Sequence, residues 1–145
     1  MKLTQLSVFL ENRPGRLIEP TRLLAAEGVK IMTLCLADTA EFGILRLIVQ
    51  DPAHAAEVLD AAGWSVTLTE VVAVEVHDQP GGLAEVLGVF EQAGLNVEYV
   101  YAFTLRREDR AILVFRFQQP DQAIAALHAR GHQVLDAERL EALVG

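Results

Sequence analysis

The chain carries nearly the same message twice. Residues 10–17 read LENRPGRL and residues 76–83 read VHDQPGGL, so Pro14-Gly15 and Pro80-Gly81 stand 66 residues apart. At the same spacing Gly28-Val29-Lys30-Ile31 matches Gly94-Leu95-Asn96-Val97. After two inserted residues the spacing becomes 68: Ile44-Leu45 matches Ile112-Leu113, Gln50 matches Gln118, Pro52 matches Pro120 and Gly63 matches Gly131. Such a period is too long for a solenoid unit and suits a small domain. The chain is therefore expected to hold two copies of one fold, residues 1–69 and 70–145, the second ending in a short helix. Any site in one copy has a counterpart in the other.

Units this small bury little core, so each is expected to lean on its sister. Hydrophobic residues make up 52% of the chain and the mean hydropathy is +0.28, which points to sheet faces or edges buried in an assembly. The apolar runs are broken too often by Glu, Arg, Asp and Gly to span a bilayer. The N-terminus lacks the basic segment and apolar stretch of a signal peptide. These features read as a cytoplasmic protein. A net charge of −8 repels a phosphate backbone. Arg106, Arg107 and Arg110 do cluster, but Glu108 and Asp109 sit among them, so nucleic acid is not an expected partner. The one cysteine, Cys35, lies in an apolar stretch and reads as a buried core thiol.

Residues 3–10 read as a strand. Asn12-Arg13-Pro14-Gly15 is a turn, where Asn bonds its own backbone, Pro fixes φ and Gly permits a left-handed backbone. Residues 16–27 suit a helix that Pro20, about one turn in, would bend or delay. Residues 29–37 and 43–50 read as a hairpin. Asp51-Pro52 starts a second helix, with Asp as N-cap and Pro at its first position. Residues 64–69 make a fourth strand. The second copy repeats the order: strand 71–76, turn 79–82, helix 83–93, strand 95–105, a loop over 106–110, strand 111–118, helix 120–130 and strand 132–135. Asp136 then caps a tail helix over 137–143. Thr69-Glu70-Val71 is continuous β-prone sequence rather than a linker. The order βαββαβ defines a ferredoxin-like α+β unit, an antiparallel sheet with both helices on one face.

A unit of this size, with D/N-x-P-G-x-L after its first strand and G-[LV]-x-[IV] opening its second, resembles an ACT domain. Two in tandem resemble the stand-alone double-ACT regulatory proteins, and the resemblance spans roughly residues 3–135. It implies a sensor of small molecules, mostly amino acids, with the ligand held between the turn of one unit and the second strand of its neighbour. The physics suits that role. The turn aims backbone N–H groups at a helix start, where partial positive charge attracts a carboxylate. The resemblance places one turn at Asn12, Arg13, Pro14, Gly15, Arg16 and Leu17, and the other at Asp78, Gln79, Pro80, Gly81, Gly82 and Leu83. The strand walls would be Ile31, Met32 and Thr33, and Asn96, Val97, Glu98 and Tyr99. Asp78 can offset an ammonium charge and Asn12 cannot, whereas Arg13 and Arg16 would favour an acidic ligand. The two sites should therefore differ. Tyr99 and Tyr101, at alternate strand positions, suit packing or an interface, and Glu98 points to the opposite face.

Nothing in the sequence supports catalysis. His54, His77, His128 and His132 lack metal-ligand spacing, Ser7 and Ser65 lack a nucleophile context, and the turns match no phosphate-binding loop. No cofactor or metal is expected. A homodimer is expected, because such sheets expose edge strands that need cover. A competing reading is a regulatory subunit that docks on an amino-acid biosynthetic enzyme, with ligand binding secondary or lost. A small plait-fold enzyme is a third.

Overall fold

The computed structural model describes residues 1–39, 41–103 and 109–144. The arginine cluster read at Arg106 and Arg107, with Glu108, lies outside the described residues. The chain divides into two compact units, Thr4–Thr69 and Met1–Leu3 with Glu70–Gly145. Each is an α+β ferredoxin-like unit.

The first unit comprises β1 (Leu3–Glu11), α1 (Ile18–Ala26), β2 (Ile31–Asp38), β3 (Phe42–Val49), α2 (Pro52–Ala61) and the beginning of β4 (Ser65–His77). Strand β3 lies between β2 and β1, antiparallel to both. Alternation decides which face is buried. Leu6, Val8 and Leu10 of β1 and Leu45, Leu47 and Val49 of β3 meet Leu24 of α1 with Ala55 and Leu59 of α2 in one core. Each leucine or valine among them, fully buried, is worth roughly 1.5–3 kcal/mol. On α2, Asp51 accepts from the His54 N–H at 3.2 Å, as its N-cap position requires.

Pro20 delays α1. A helix begun at Arg16 would need an N–H at residue 20 to bond the Arg16 carbonyl, and proline has none. The chain instead makes a turn through Leu17 and enters the helix at Ile18. Pro20 then falls in the first turn, where an N–H has no helical partner anyway.

The second unit takes β4 as its first strand, followed by α3 (Gly82–Gln92), β5 (Tyr99–Ala102), β6 (Arg110–Arg116), α4 (Pro120–Ala129), β7 (Gln133–Leu135) and α5 (Ala137–Val144). Its antiparallel order is β7-β4-β6-β5. The strands expected at 64–69 and 71–76 form one element, because nothing between them breaks β structure. The strand expected over 95–105 is shorter: residues 95–98 are irregular and β5 begins at Tyr99. Ahead of it the Leu95 N–H bonds back to the Phe90 carbonyl and the Glu98 N–H bonds the Arg116 carbonyl, each at 2.9 Å. Asp136 caps α5 by accepting from the Arg139 N–H at 2.8 Å. Lys2 joins this unit through Asp121 at 3.1 Å and Glu70 at 3.2 Å. Its hydrogen bonds to Asp121, then Glu70, raise its pKa above the ordinary 10.5.

The two cores are filled differently. The second gathers Val72, Val74, Val76, Val86 and Val89 around Phe90, Phe115 and Phe117. The Phe90 ring meets Phe115 edge-on at 5.0 Å and Phe117 at 4.7 Å. Cys35, expected in the core, is only half-buried, because it pairs across from Arg46 on the sheet face away from the core residues Leu45 and Leu47. Phe90→Ala removes the centre of the aromatic cluster and is expected to cost about 3–5 kcal/mol, read as a lower midpoint in urea unfolding.

Candidate functional site

The two strand-to-helix turns share one backbone. Gly15 has φ +84° and Gly81 φ +90°, a left-handed conformation that side chains resist. The Arg16 N–H bonds the Arg13 carbonyl at 3.3 Å, and the Gly82 N–H bonds the Gln79 carbonyl at 3.0 Å. Neither α1 nor α3 has a side-chain N-cap, although the first N–H of α3, that of Gly82, is taken by the Gln79 carbonyl. Leu17 and Leu83 sit exposed at equivalent places beside the turns.

The side chains differ. In the first turn the Asn12 N–H bonds the Glu41 carbonyl at 2.9 Å and its Nδ2 donates to the Thr39 carbonyl at 3.3 Å. Arg13 Nε lies 2.9 Å from Glu11 Oε2. Arg16 Nη1 donates to Glu19 Oε2 at 2.9 Å, and its guanidinium carbon sits 4.9 Å from the centre of the Trp64 ring. Both arginines thus carry carboxylate partners from their own unit, which weakens the expectation that they recruit an acidic ligand. In the second turn the Asp78 N–H bonds the Asp109 carbonyl, and His77 Nδ1 lies 4.0 Å from Asp109 Oδ2.

Gly82 is required for a reason unlike that of Gly81. A Cβ on Gly82 would stand 2.1 Å from the His77 carbonyl oxygen. In the first unit the same position holds Arg16, because Pro20 postpones the helix and leaves residue 16 in an open turn.

Within a unit, turn and strand wall lie at opposite ends of the sheet. Glu11 pairs with Phe42 and Ile31 with Val49, so Asn12 and Ile31 are separated by about 24 Å along β3. His77 pairs with Arg110 and Tyr99 with Arg116, about 20 Å along β6. Neither unit brings its own turn and wall together. Of the first wall, Ile31 and Met32 are half-buried and Thr33 is buried. Of the second, Asn96, Val97 and Glu98 precede the strand they were expected to form, since β5 takes up its ladder with β6 only at Tyr99. Glu98 Oε2 lies 3.6 Å from Arg116 Nε. Tyr99 and Tyr101 stack with ring centres 6.5 Å apart.

Sequence reasoning did not place Trp64 and Glu19 at a site, weighed His132 only as a metal ligand and read Glu85 as a solvated face, yet these four surround the residue after each glycine. The signal was present: at the 66- and 68-residue shifts Glu19 matches Glu85 and Trp64 matches His132. No group of His, Cys, Asp or Glu with metal-binding geometry occurs among the described residues, and no helix there is long and apolar enough to cross a membrane.

The family model described as an ACT domain pair matches residues 1–144. A protein from Bacteroides thetaiotaomicron of solved structure shares 40% identity at a TM-score of 0.91, over 97% of this chain and 96% of its own. The regulatory subunit of aspartate kinase from Thermus thermophilus matches at 18% identity and TM-score 0.63, over 88% of this chain and 92% of its own. Aspartate kinase from Synechocystis matches at 20% identity and TM-score 0.59, over 89% of this chain and 26% of its own. The last two likenesses concern the fold. No curated protein matches.

Gly82→Ala is expected to destabilise the protein by about 1–3 kcal/mol through overpacking against His77. Gly88→Ala, inside α3 with nothing within 4 Å, should stabilise it by about 0.5–1 kcal/mol. Chemical denaturation of the two variants checks the opposite signs.

Proposed function

Because the chain belongs to the ACT family as a tandem domain pair, we propose that it is a non-catalytic regulatory protein that binds an amino acid. The observation that carries this reading is the duplicated turn. Each copy holds a left-handed glycine, a helix start without a side-chain cap, and an exposed leucine. Uncapped N–H groups suit a carboxylate, Asp78 suits an ammonium, and the leucine suits an apolar side chain. The register separates each turn from the wall of its own unit, so the ligand would sit between the turn of one ACT unit and the second strand of another. The candidate residues are Asn12 to Leu17 and Asp78 to Leu83, with Ile31 to Thr33 and Asn96 to Tyr99 as walls. The second turn is the stronger candidate, since Asp78 carries the charge and the first turn's arginines are engaged.

A thermal-shift screen against the twenty amino acids tests this. A ligand at about 100 times its dissociation constant adds roughly 2.7 kcal/mol. Asp78→Ala and Gly81→Val should each abolish the response of the second site while the protein stays folded. An undiminished response in both variants would sink the assignment.

A second reading, a subunit that associates through its surface, draws on the edge strand β2. Leu34 and Leu36 are about half-exposed there, and Phe9 and Phe42 flank an open apolar depression of about 470 Å³ with Ala37 and Ile44. Such an edge seeks cover, in a homodimer or on a biosynthetic enzyme. Leu36→Lys is expected to lower the sedimenting mass from dimer to monomer; a wild-type protein that already sediments as a monomer would remove the homodimer.

A further inference from the structure

The two units treat one place in opposite ways. In the first, the Arg16 guanidinium lies against the Trp64 ring at 4.9 Å with Nη1 on the Glu19 carboxylate at 2.9 Å. Its Nε is buried and without a hydrogen-bond partner among the described residues. At the repeat shifts the corresponding residues are Gly82, His132 and Glu85. Backbone geometry supports this alignment: the Trp64 N–H bonds the Leu59 carbonyl at 3.0 Å, and the His132 N–H bonds the Leu127 carbonyl at 3.0 Å. Where the first unit is filled by its own arginine, the second has a cleft of about 240 Å³ bordered by Gly82, Glu85 and His132.

The second unit cannot fill this cleft from position 82, because a Cβ there would meet the His77 carbonyl. Yet it keeps the carboxylate and a ring. Glu85 has His132 Nε2 as its neighbour at 4.0 Å, beyond hydrogen-bond reach. Of the other cations on the cleft wall, Arg130 Nη2 donates to Gln92 Oε1, and Arg110 Nε lies 4.0 Å from Glu75 Oε1, also beyond hydrogen-bond reach. His77 faces Asp109.

We propose that this cleft is an arginine site left vacant by the chain, and that it binds the guanidinium group of a small molecule. Glu85 accepts its N–H groups in a charge-assisted bond. His132 stands where the first unit has Trp64 and offers a ring nitrogen as an acceptor. The cavity is smaller than the roughly 300–1,000 Å³ of a drug-sized site, which suits one planar head group. The cleft adjoins the Asp78 turn at Gly82 but rests on Glu85 and His132, and the proposal does not depend on the amino-acid reading of that turn.

The test uses ethylguanidinium chloride, which lacks the carboxylate and ammonium that the turn reading requires. Calorimetry at low salt on the full chain is expected to show saturable binding at one site. Glu85→Gln should weaken it about tenfold or more, while Asp78→Ala should leave it unchanged. Arg16→Gly should open the matching place in the first unit and raise the stoichiometry from one to two. Absence of saturable binding, equal binding by Glu85→Gln, or loss of binding in a folded Asp78→Ala protein would each overturn the proposal. A Gly-Arg-Gly tripeptide that binds more tightly than free arginine would overturn the small-molecule assignment.

Discussion

The contact between Gly82 and the His77 carbonyl governs more of this protein than any other. Backbone approaches backbone there without room for a Cβ, so α3 starts at once after its turn and lies close over the sheet. In the first unit Pro20 denies the helix the same early start, the turn stays open, and an arginine takes the position. One proline therefore accounts for a shorter helix, for a side chain where the sister unit has none, and for the difference between a filled site and an empty one.

The cores show how two related sequences reach one fold by different packing. The first relies on aliphatic side chains from alternate strand positions, and the second on three phenylalanines in edge and stacked contact. Both satisfy the same requirement: side chains i and i+2 of a strand share a face, and that face must be covered by two helices. The apolar composition has a further outlet at β2, where Leu34 and Leu36 pair with the core residues Leu47 and Leu45 yet stay about half-exposed.

Much of this was legible in residues 1–145 read alone. The repeat, the glycines of left-handed φ, the Asp51-Pro52 and Asp136 helix starts and the α+β element order all follow from local chemistry, because φ preference and capping act over four or five residues. Local chemistry was less reliable where a partner strand decides: residues 95–97 have strand propensity but lie outside the ladder with β6, which begins at Tyr99, and Cys35 is apolar in context but faces away from the core.

The sequence by itself determined the repeat, the order of its helices and strands and where its turns fall. Only the tertiary structure decided what the turn residues touch. Arg13 and Arg16 looked available in the sequence and are held by Glu11 and Glu19; Trp64 and His132 looked incidental and stand beside position 16 and the cleft at Gly82. The reason is physical. Backbone conformation is a property of neighbours in the chain, and so here are the carboxylates two and three residues from the arginines, whereas the ring over the Arg16 guanidinium is Trp64, which only folding brings from 48 positions away to 4.9 Å.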